Sequence, residues 1–394
     1  MDRNYSKVTP KDAPWLTTPS ARAVCDSIAA GGHQILYVGG CVRNALLGAP
    51  ISDVDMATSA TPDQVISLVE AAGLKAVPTG IDHGTITVVS GGAGYEVTTF
   101  RRDVETDGRR AVVAFSTDIS DDARRRDFTM NALYADSDGQ VIDPLNGIDD
   151  LRARRVRFIE NAGDRIREDY LRTLRYFRFH AWYGDTSEGM DEDAVAAIAS
   201  NLSGLETLSP ERIGAEIHKL LNAPDPSTAL AGMAQTGVLG TVLPGTDISF
   251  TLLMIHGSEC CNIAPDWLGR LVSLGGQSVP ELLRLSKAQQ RKYGFIGEAA
   301  FEGNPLIETA FFHGAEVASQ AYLIRCAIAE NLPDAAFIEN LKKAASQVFP
   351  IAANDLMPTY QGAALGARLS LLKQAWIASE FKLSGKELLM LPDA

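Results

Sequence analysis

The sequence predicts an α+β protein, with an α/β head in the first third and an all-helical remainder, and three observations predict it. QILYVGG at 34–40 is a short apolar run closed by a glycine pair, after which the spacing turns helical. TITVVS at 85–90 and YEVTTF at 95–100 alternate β-branched residues on either side of the turn GGAG. Beyond about residue 147 apolar residues recur at helical spacing and no strong strand signal returns.

In chain order, the strand at 34–40 leads into a helix at 42–47 that Gly48 stops. SDVDMAT at 52–58 reads as a second strand. TPDQVISLVEAAG at 61–73 reads as a helix, with Thr61 as N-cap, Pro62 in the first turn and Gly73 as the stop. After the two alternating strands, RRDVETDGRRAVVAF at 101–115 mixes charge with a glycine and is expected to be a mobile loop. FTMNALYAD and QVIDPL form a hairpin-like pair around SDG. The segments 168–183, 194–202, 210–221, 226–240, 367–381 and 384–389 then carry helical spacing.

Composition narrows the function classes. A length of 394 residues allows two or three domains, and a charged fraction of 22% argues against long disorder. No apolar run approaches a membrane span and the N-terminal stretch lacks a secretory pattern, so a soluble cytoplasmic protein is expected. The five cysteines form no C-x-x-C pair and the six histidines show no ligand spacing. A net charge of −13 opposes phosphate binding as a whole-chain property. Residues 151–180, however, hold nine arginines against four acids, so basic character is concentrated there.

Asp53 and Asp55, two apart on a strand, would face the same way and converge on one cation. Hard oxygen donors completed by substrate phosphates suit Mg²⁺. The same pair also fits solvated turn acids, or a metal-dependent glycosyltransferase. Glu96 on the YEVTTF strand is a candidate third carboxylate facing the pair, equally readable as an exposed strand residue. Gly39 and Gly40 sit at a strand-to-helix turn whose backbone N–H groups suit phosphates, and Arg43 lies one turn into that helix. A tight packing turn explains the glycines as well. In RRRDFTMNAL at 124–133, Arg125 and Arg126 are candidates for phosphate or ribose contact, and Asp127 for orienting an arginine or binding a sugar hydroxyl. A solvated basic run is the alternative.

In EDYLRTLRYFRF at 168–179, Asp169 and Arg172 stand three apart and would neighbour each other on a helix, as a salt bridge or as a base-reading pair. Cytosine and adenine both present an amino donor beside a ring-nitrogen acceptor. An aspartate accepting from the first and an arginine donating to the second would admit both. Guanine and uracil would leave polar groups unpaired, at roughly 1–3 kcal/mol each.

With these segments in place, the chain resembles the class II CCA-adding tRNA nucleotidyltransferases of bacterial type. The likeness rests on Gly39 through Asn44, Asp53-Val54-Asp55, Gly80 through Thr85, Glu96 through Arg101, Arg125 through Ala132, Asp143-Pro144, Asn146-Gly147, and Glu168 through Arg178, in that order. It is specific across roughly 30–180 and loose over 350–385. The resemblance implies a polymerase-β-like nucleotidyltransferase head (a mixed sheet with helices) and an all-helical neck, body and tail. The expected divisions are an extension at 1–22, a catalytic head at 23–146, a neck carrying the nucleotide-selecting helix at 147–205, a body at 206–330 and a tail at 331–394. It implies Asp53 and Asp55 as ligands of Mg²⁺, with Gly40, Arg43 and Arg126 as nucleotide contacts. Asp169 and Arg172 become the base selector, with Arg175 and Arg178 completing the pocket. The partners implied are a tRNA 3′ end with CTP and ATP, and neither a membrane nor a protein partner is indicated.

GIDHGTITV stands where the related poly(A) polymerases carry an arginine-rich stretch, which favours CCA addition. CC-adding and A-adding enzymes remain open, and a non-catalytic RNA-binding module is the alternative from another class.

Overall fold

Alternation and turn chemistry decide where the sheet of the head forms. The computed structural model describes residues 5–107 and 110–392. The strands are β1 (Ile35–Val38), β2 (Asp55–Thr58), β3 (Lys75–Gly80), β4 (Thr85–Ser90), β5 (Ala93–Thr99), β6 (Arg101–Asp107), β7 (Arg110–Phe115), β8 (Tyr134–Ala135) and β9 (Val141–Ile142). Seven of them form one mixed sheet in the order β3-β4-β5-β2-β1-β8-β9, and β6 and β7 pair separately. Within the large sheet β2 and β5 run parallel, in a register that sets Asp55 beside Glu96, while the other pairs are antiparallel.

Helices α1 (Pro19–Ala29) and α3 (Pro62–Ala71) pack on β4 and β5. Val24, Ile28, Val65 and Val69 on the helices and Ile86, Val88 and Val97 on the strands are all buried. Each such side chain contributes about 1.5–3 kcal/mol over an exposed one. The capping expected for α3 is present, with Gln64 Oε1 reaching back to the Thr61 amide at 2.9 Å. A second cluster, formed by Leu36, Val38, Ala57, Phe100, Ala123, Ala132, Tyr134 and Ile159, covers the opposite side of β1 and β2.

The remaining helices of the first compact unit are α2 (Gly40–Leu47), α4 (Ile119–Arg124), α5 (Gly147–Arg152), α6 (Ala162–Glu168), α7 (Leu171–Tyr183), α8 (Glu192–Ala199), α9 (Pro210–Leu221), α10 (Ser227–Gln235) and α11 (Val238–Val242). That unit comprises Met1–Leu220 with Thr228–Val242; the second comprises Leu221–Ser227 with Leu243–Ala394. The expected head and neck therefore share one unit. The second unit is helical among its described residues, and at its C-terminal end Ile351, Leu356, Leu372, Trp376 and Leu388 form a cluster of their own. Among the described residues no strand follows β9, as the helical spacing predicts.

Three local expectations need correction. The strand placed at 52–58 begins only at Asp55, the first of these residues to pair with a neighbouring strand, opposite Glu96; Asp53 lies before it. The segment at 128–136 is broken by a 3-10 turn at Thr129–Asn131, where Asn131 Nδ2 turns back to Asp127 Oδ1 at 2.9 Å. The segment 101–115 is a β-hairpin rather than a loop, with Arg101 opposite Phe115 and Asp107 opposite Arg110; residues 108 and 109 lie outside the described residues. Its sequence carries Asp107-Gly108, a hairpin signal that the surrounding charge obscures.

Candidate active site

The turn between β1 and α2 positions the first part of the site. Gly39 has φ 71° and ψ −120°, a backbone conformation open essentially to glycine alone. Its carbonyl accepts from the Arg43 amide at 2.9 Å and so starts α2. The first turn of a helix leaves N–H groups without intrahelical partners, and here these lie at the sheet end. A Cβ built on Gly39 would lie 3.5 Å from Arg126 Nη1 and 3.6 Å from the Asn131 carbonyl oxygen. Gly39→Ala is expected to cost about 1–3 kcal/mol of stability through backbone strain at this positive φ, while the added Cβ makes only ordinary contacts with Arg126. Thermal denaturation checks this, and an unchanged melting temperature would refute the strain.

Asp55 is half-buried at the start of β2, Glu96 is exposed beside it, and Asp53 is exposed just before the strand. Burial raises the Asp55 carboxyl above its ordinary value, the charges of Glu96 and Asp53 raise it further, and Arg126 opposes them. Like charges gathered at one edge are what a divalent cation would relieve, and all the donors are hard oxygens. Among the described residues no three His, Cys, Asp or Glu side chains form a self-sufficient metal cage. Asp55, with Asp53 and Glu96 near it, offers hard oxygen donors of the kind that fit a divalent cation.

Arg43 does not project freely into solvent. It is buried, with Nη1 donating to Asn131 Oδ1, Nη2 to the Tyr183 hydroxyl at 2.9 Å and Nε to Asn44 Oδ1 at 3.0 Å. Its guanidinium lies 4.1 Å from the Tyr183 ring centroid and 5.0 Å from that of Phe179. It backs the glycine turn, since a Cβ on Gly40 would lie 3.7 Å from its Nη2.

Helix α7 supplies the facing wall. Arg172, Arg175 and Arg178 recur every third residue as a half-exposed stripe on an otherwise mostly buried helix. Arg175 donates through Nε at 2.7 Å and Nη2 at 2.5 Å to Asp127 Oδ2, while Asp127 Oδ1 accepts from Asn131 Nδ2. Burial works against the Asp127 charge, yet Arg175 and Asn131 hold its carboxyl down to about 2. A polar chain thus runs from Arg175 through Asp127, Asn131 and Arg43 to Tyr183, leaving α7 and returning to it. Arg178 Nε donates to Glu216 Oε2 at 2.5 Å, and the Arg178, Arg43 and Arg175 guanidinium groups lie 4.7, 5.0 and 5.6 Å from the Phe179 ring centroid.

The expected sharing of one helix by Asp169 and Arg172 is corrected. Asp169 ends α6 in an extended conformation, and its Oδ1 accepts from the Leu171 amide at 3.1 Å to begin α7. No bond joins it to the Arg172 side chain among the described contacts. Arg212 Nη2 donates to Asp169 Oδ2 at 2.6 Å, and Arg172 Nη1 donates to Glu168 Oε2 at 2.5 Å and to the Arg165 carbonyl at 3.0 Å. Sequence reasoning overlooked Asp122, Tyr183, Arg212 and Glu216. Only Asp122, two residues before the quoted arginine run, had any local cue.

Comparison with known proteins places the chain by family and fold. Residues 35–157 match the model of the poly A polymerase head domain, and residues 189–249 match that of the probable RNA and SrmB-binding site of polymerase A. The CCA-adding enzyme of Streptococcus sanguinis is 36% identical over 296 residues, covering 74% of this chain and 71% of that protein. The chain belongs to the class II CCA-adding enzyme family. The Mus musculus protein named CCA tRNA nucleotidyltransferase 1, mitochondrial, is 43% identical over 207 residues, covering 52% of this chain. The chain spans about half the length of that relative, 48%. The CCA-adding enzyme of Bacillus stearothermophilus in complex with CTP has the same fold, with a TM-score of 0.72 and 29% identity over 92% of this chain and 93% of that one. Membership makes the head a nucleotidyltransferase head and its helical remainder the family's own, and it carries the family's general use of a divalent metal.

Proposed function

We propose that this protein adds C, C and A in turn to the 3′ end of tRNA, consuming CTP and ATP and releasing pyrophosphate. The observation that carries the reading is that Asp127 ties the arginine stripe of α7 to the head, beside the glycine turn and the carboxylate edge. Nucleotide selection and phosphoryl transfer would then be carried out on elements tied to one another. Asp53 and Asp55 would hold Mg²⁺, which when bound supplies positive charge to the triphosphate and the leaving pyrophosphate. Glu96 adds negative charge beside Asp55. The Gly39–Gly40 turn and Arg126 are suited to the triphosphate, and Arg175 and Arg178 offer further positive charge. The 3′-hydroxyl of the RNA attacks the α-phosphate, and the residues act mainly by positioning and charge stabilisation.

Asp169 would accept from the amino group of cytosine or adenine, and Arg172 would donate to the neighbouring ring nitrogen. Arg212 and Glu168 hold these two side chains in place. Arg172→Ala is expected to relax the choice of base by roughly tenfold or more while tRNA affinity changes little. Competition among the four nucleotides with a defined tRNA checks this, and a selective loss of tRNA binding would refute the role. Action in the cytoplasm is part of the proposal; no helix among the described residues is long and apolar enough to cross a membrane.

The test incubates the protein and Mg²⁺ with tRNA transcripts ending before CCA, after C, or after CC, each with labelled CTP, ATP or both. Addition of CCA followed by a stop supports the proposal. Addition of CC alone or of the final A alone makes it half of a divided pathway, long A tails make it a poly(A) polymerase, and no incorporation overturns it.

A further inference from the structure

Asp122 lies in α4 with its side chain fully buried, and neither the motif reading nor the proposed mechanism uses it. A buried carboxylate is costly unless its oxygens are satisfied. Here Oδ1 accepts from Arg125 Nε at 2.8 Å and Nη2 at 2.6 Å. Oδ2 accepts from Arg126 Nη2 at 2.8 Å and Nε at 3.2 Å and from the Tyr134 hydroxyl at 2.7 Å. The Tyr134 oxygen in turn accepts from Arg126 Nε at 3.2 Å. The Nε–Nη2 edge of the Arg126 guanidinium is thereby fixed, and Nη1 is the corner that lies beside Gly39. The backbone carbonyl of the neighbouring Arg125 accepts from Arg172 Nη2 at 3.2 Å.

We propose that Asp122 is a positioning residue for nucleotide binding: it orients Arg126 toward the Gly39 turn so that Nη1 meets the triphosphate, with Tyr134 bracing the pair. The inference rests on the functional reading above and assigns to α4 a part in it. The salt link alone would be satisfied by any arginine orientation that keeps one contact. The shared Tyr134 hydroxyl removes that freedom, because it engages both partners at once. Loss of Asp122 therefore weakens nucleotide binding through Arg126, without touching the carboxylates that carry the chemistry.

A double-mutant cycle tests this, using full-length protein, a tRNA ending in CC, and ATP varied at saturating tRNA. Asp122→Asn and Arg126→Ala are each expected to raise the ATP KM, on the order of 10- to 100-fold, with a smaller change in kcat. The double variant is expected to match Arg126→Ala alone. Tyr134→Phe, which keeps every charge, is expected to raise KM by a smaller factor, and this effect should vanish in the Arg126→Ala background. Should Asp122→Asn fail to fold, as judged by thermal melting, the Tyr134–Arg126 cycle decides by itself. Fold-changes that multiply independently, or a loss confined to kcat, overturn the proposal. Failure of the parent protein to incorporate nucleotide would instead sink the functional reading on which it rests.

Discussion

Asp55→Asn is expected to lower nucleotide addition on the order of a thousandfold or more, while the folded state stays as stable as the parent or gains stability. The loss follows from removing a ligand charge at the point where several kcal/mol of transition-state stabilisation are gathered. The stability effect follows from the electrostatics of the same edge. Burial and the charges of Glu96 and Asp53 raise the Asp55 carboxyl in the folded protein, so its ionised form is worse off there than in the unfolded chain. A group raised in this way favours the folded state at low pH and costs stability as pH rises through its folded value. Asparagine fills the same space without that cost. Single-nucleotide incorporation and thermal melting at neutral pH check the two halves separately. Near-parental activity would remove Asp55 from the metal site, and a large fall in melting temperature would show that its carboxylate is structural.

Asp55 and Glu96 were legible because strand alternation and residue type are local properties. That Glu96 faces the pair is one of two readings the sequence leaves open, since the adjacency depends on the parallel pairing of β2 with β5, which no short window contains. Asp169 was read onto the wrong element for a related reason. The spacing to Arg172 fits one helix, but an aspartate two residues before Leu171 is also a capping signal, and capping prevails. Arg212 and Glu216 come from a helix far along the chain, and nothing in PERIGAEIHKLL marks them as partners of Asp169 and Arg178. Arg43 shows the limit of motif reading: its place one turn into α2 is local, while its burial under Tyr183 depends on tertiary packing. The fold class was easier, because alternation in the head and helical spacing beyond it repeat over many residues.

Asp127→Asn is expected to destabilise the head by roughly 3–5 kcal/mol, as one partner of a buried ion pair is removed. The carboxylate is 7% exposed and satisfies Arg175, Asn131 and the Phe128 amide together. Its loss leaves the Arg175 charge uncompensated and frees Asn131, which in turn holds Arg43. Helix α7 would then lose its grip on the glycine turn, so kcat/KM should fall along with stability.

The pH dependence separates this role from mere packing. The Asp127 carboxyl lies at about 2 against an ordinary 3.8, a depressed value, so its contribution is complete above the ordinary carboxylate range and is lost as pH falls from about 4 toward 2. That contribution is on the order of 2 kcal/mol. The parent is therefore expected to lose melting temperature more steeply than Asp127→Asn across that acid window, the two curves drawing together at its lower end. Parallel curves would mean that Asp127 stabilises the head by shape rather than by charge, and the ion pair would no longer explain how α7 is held to the site.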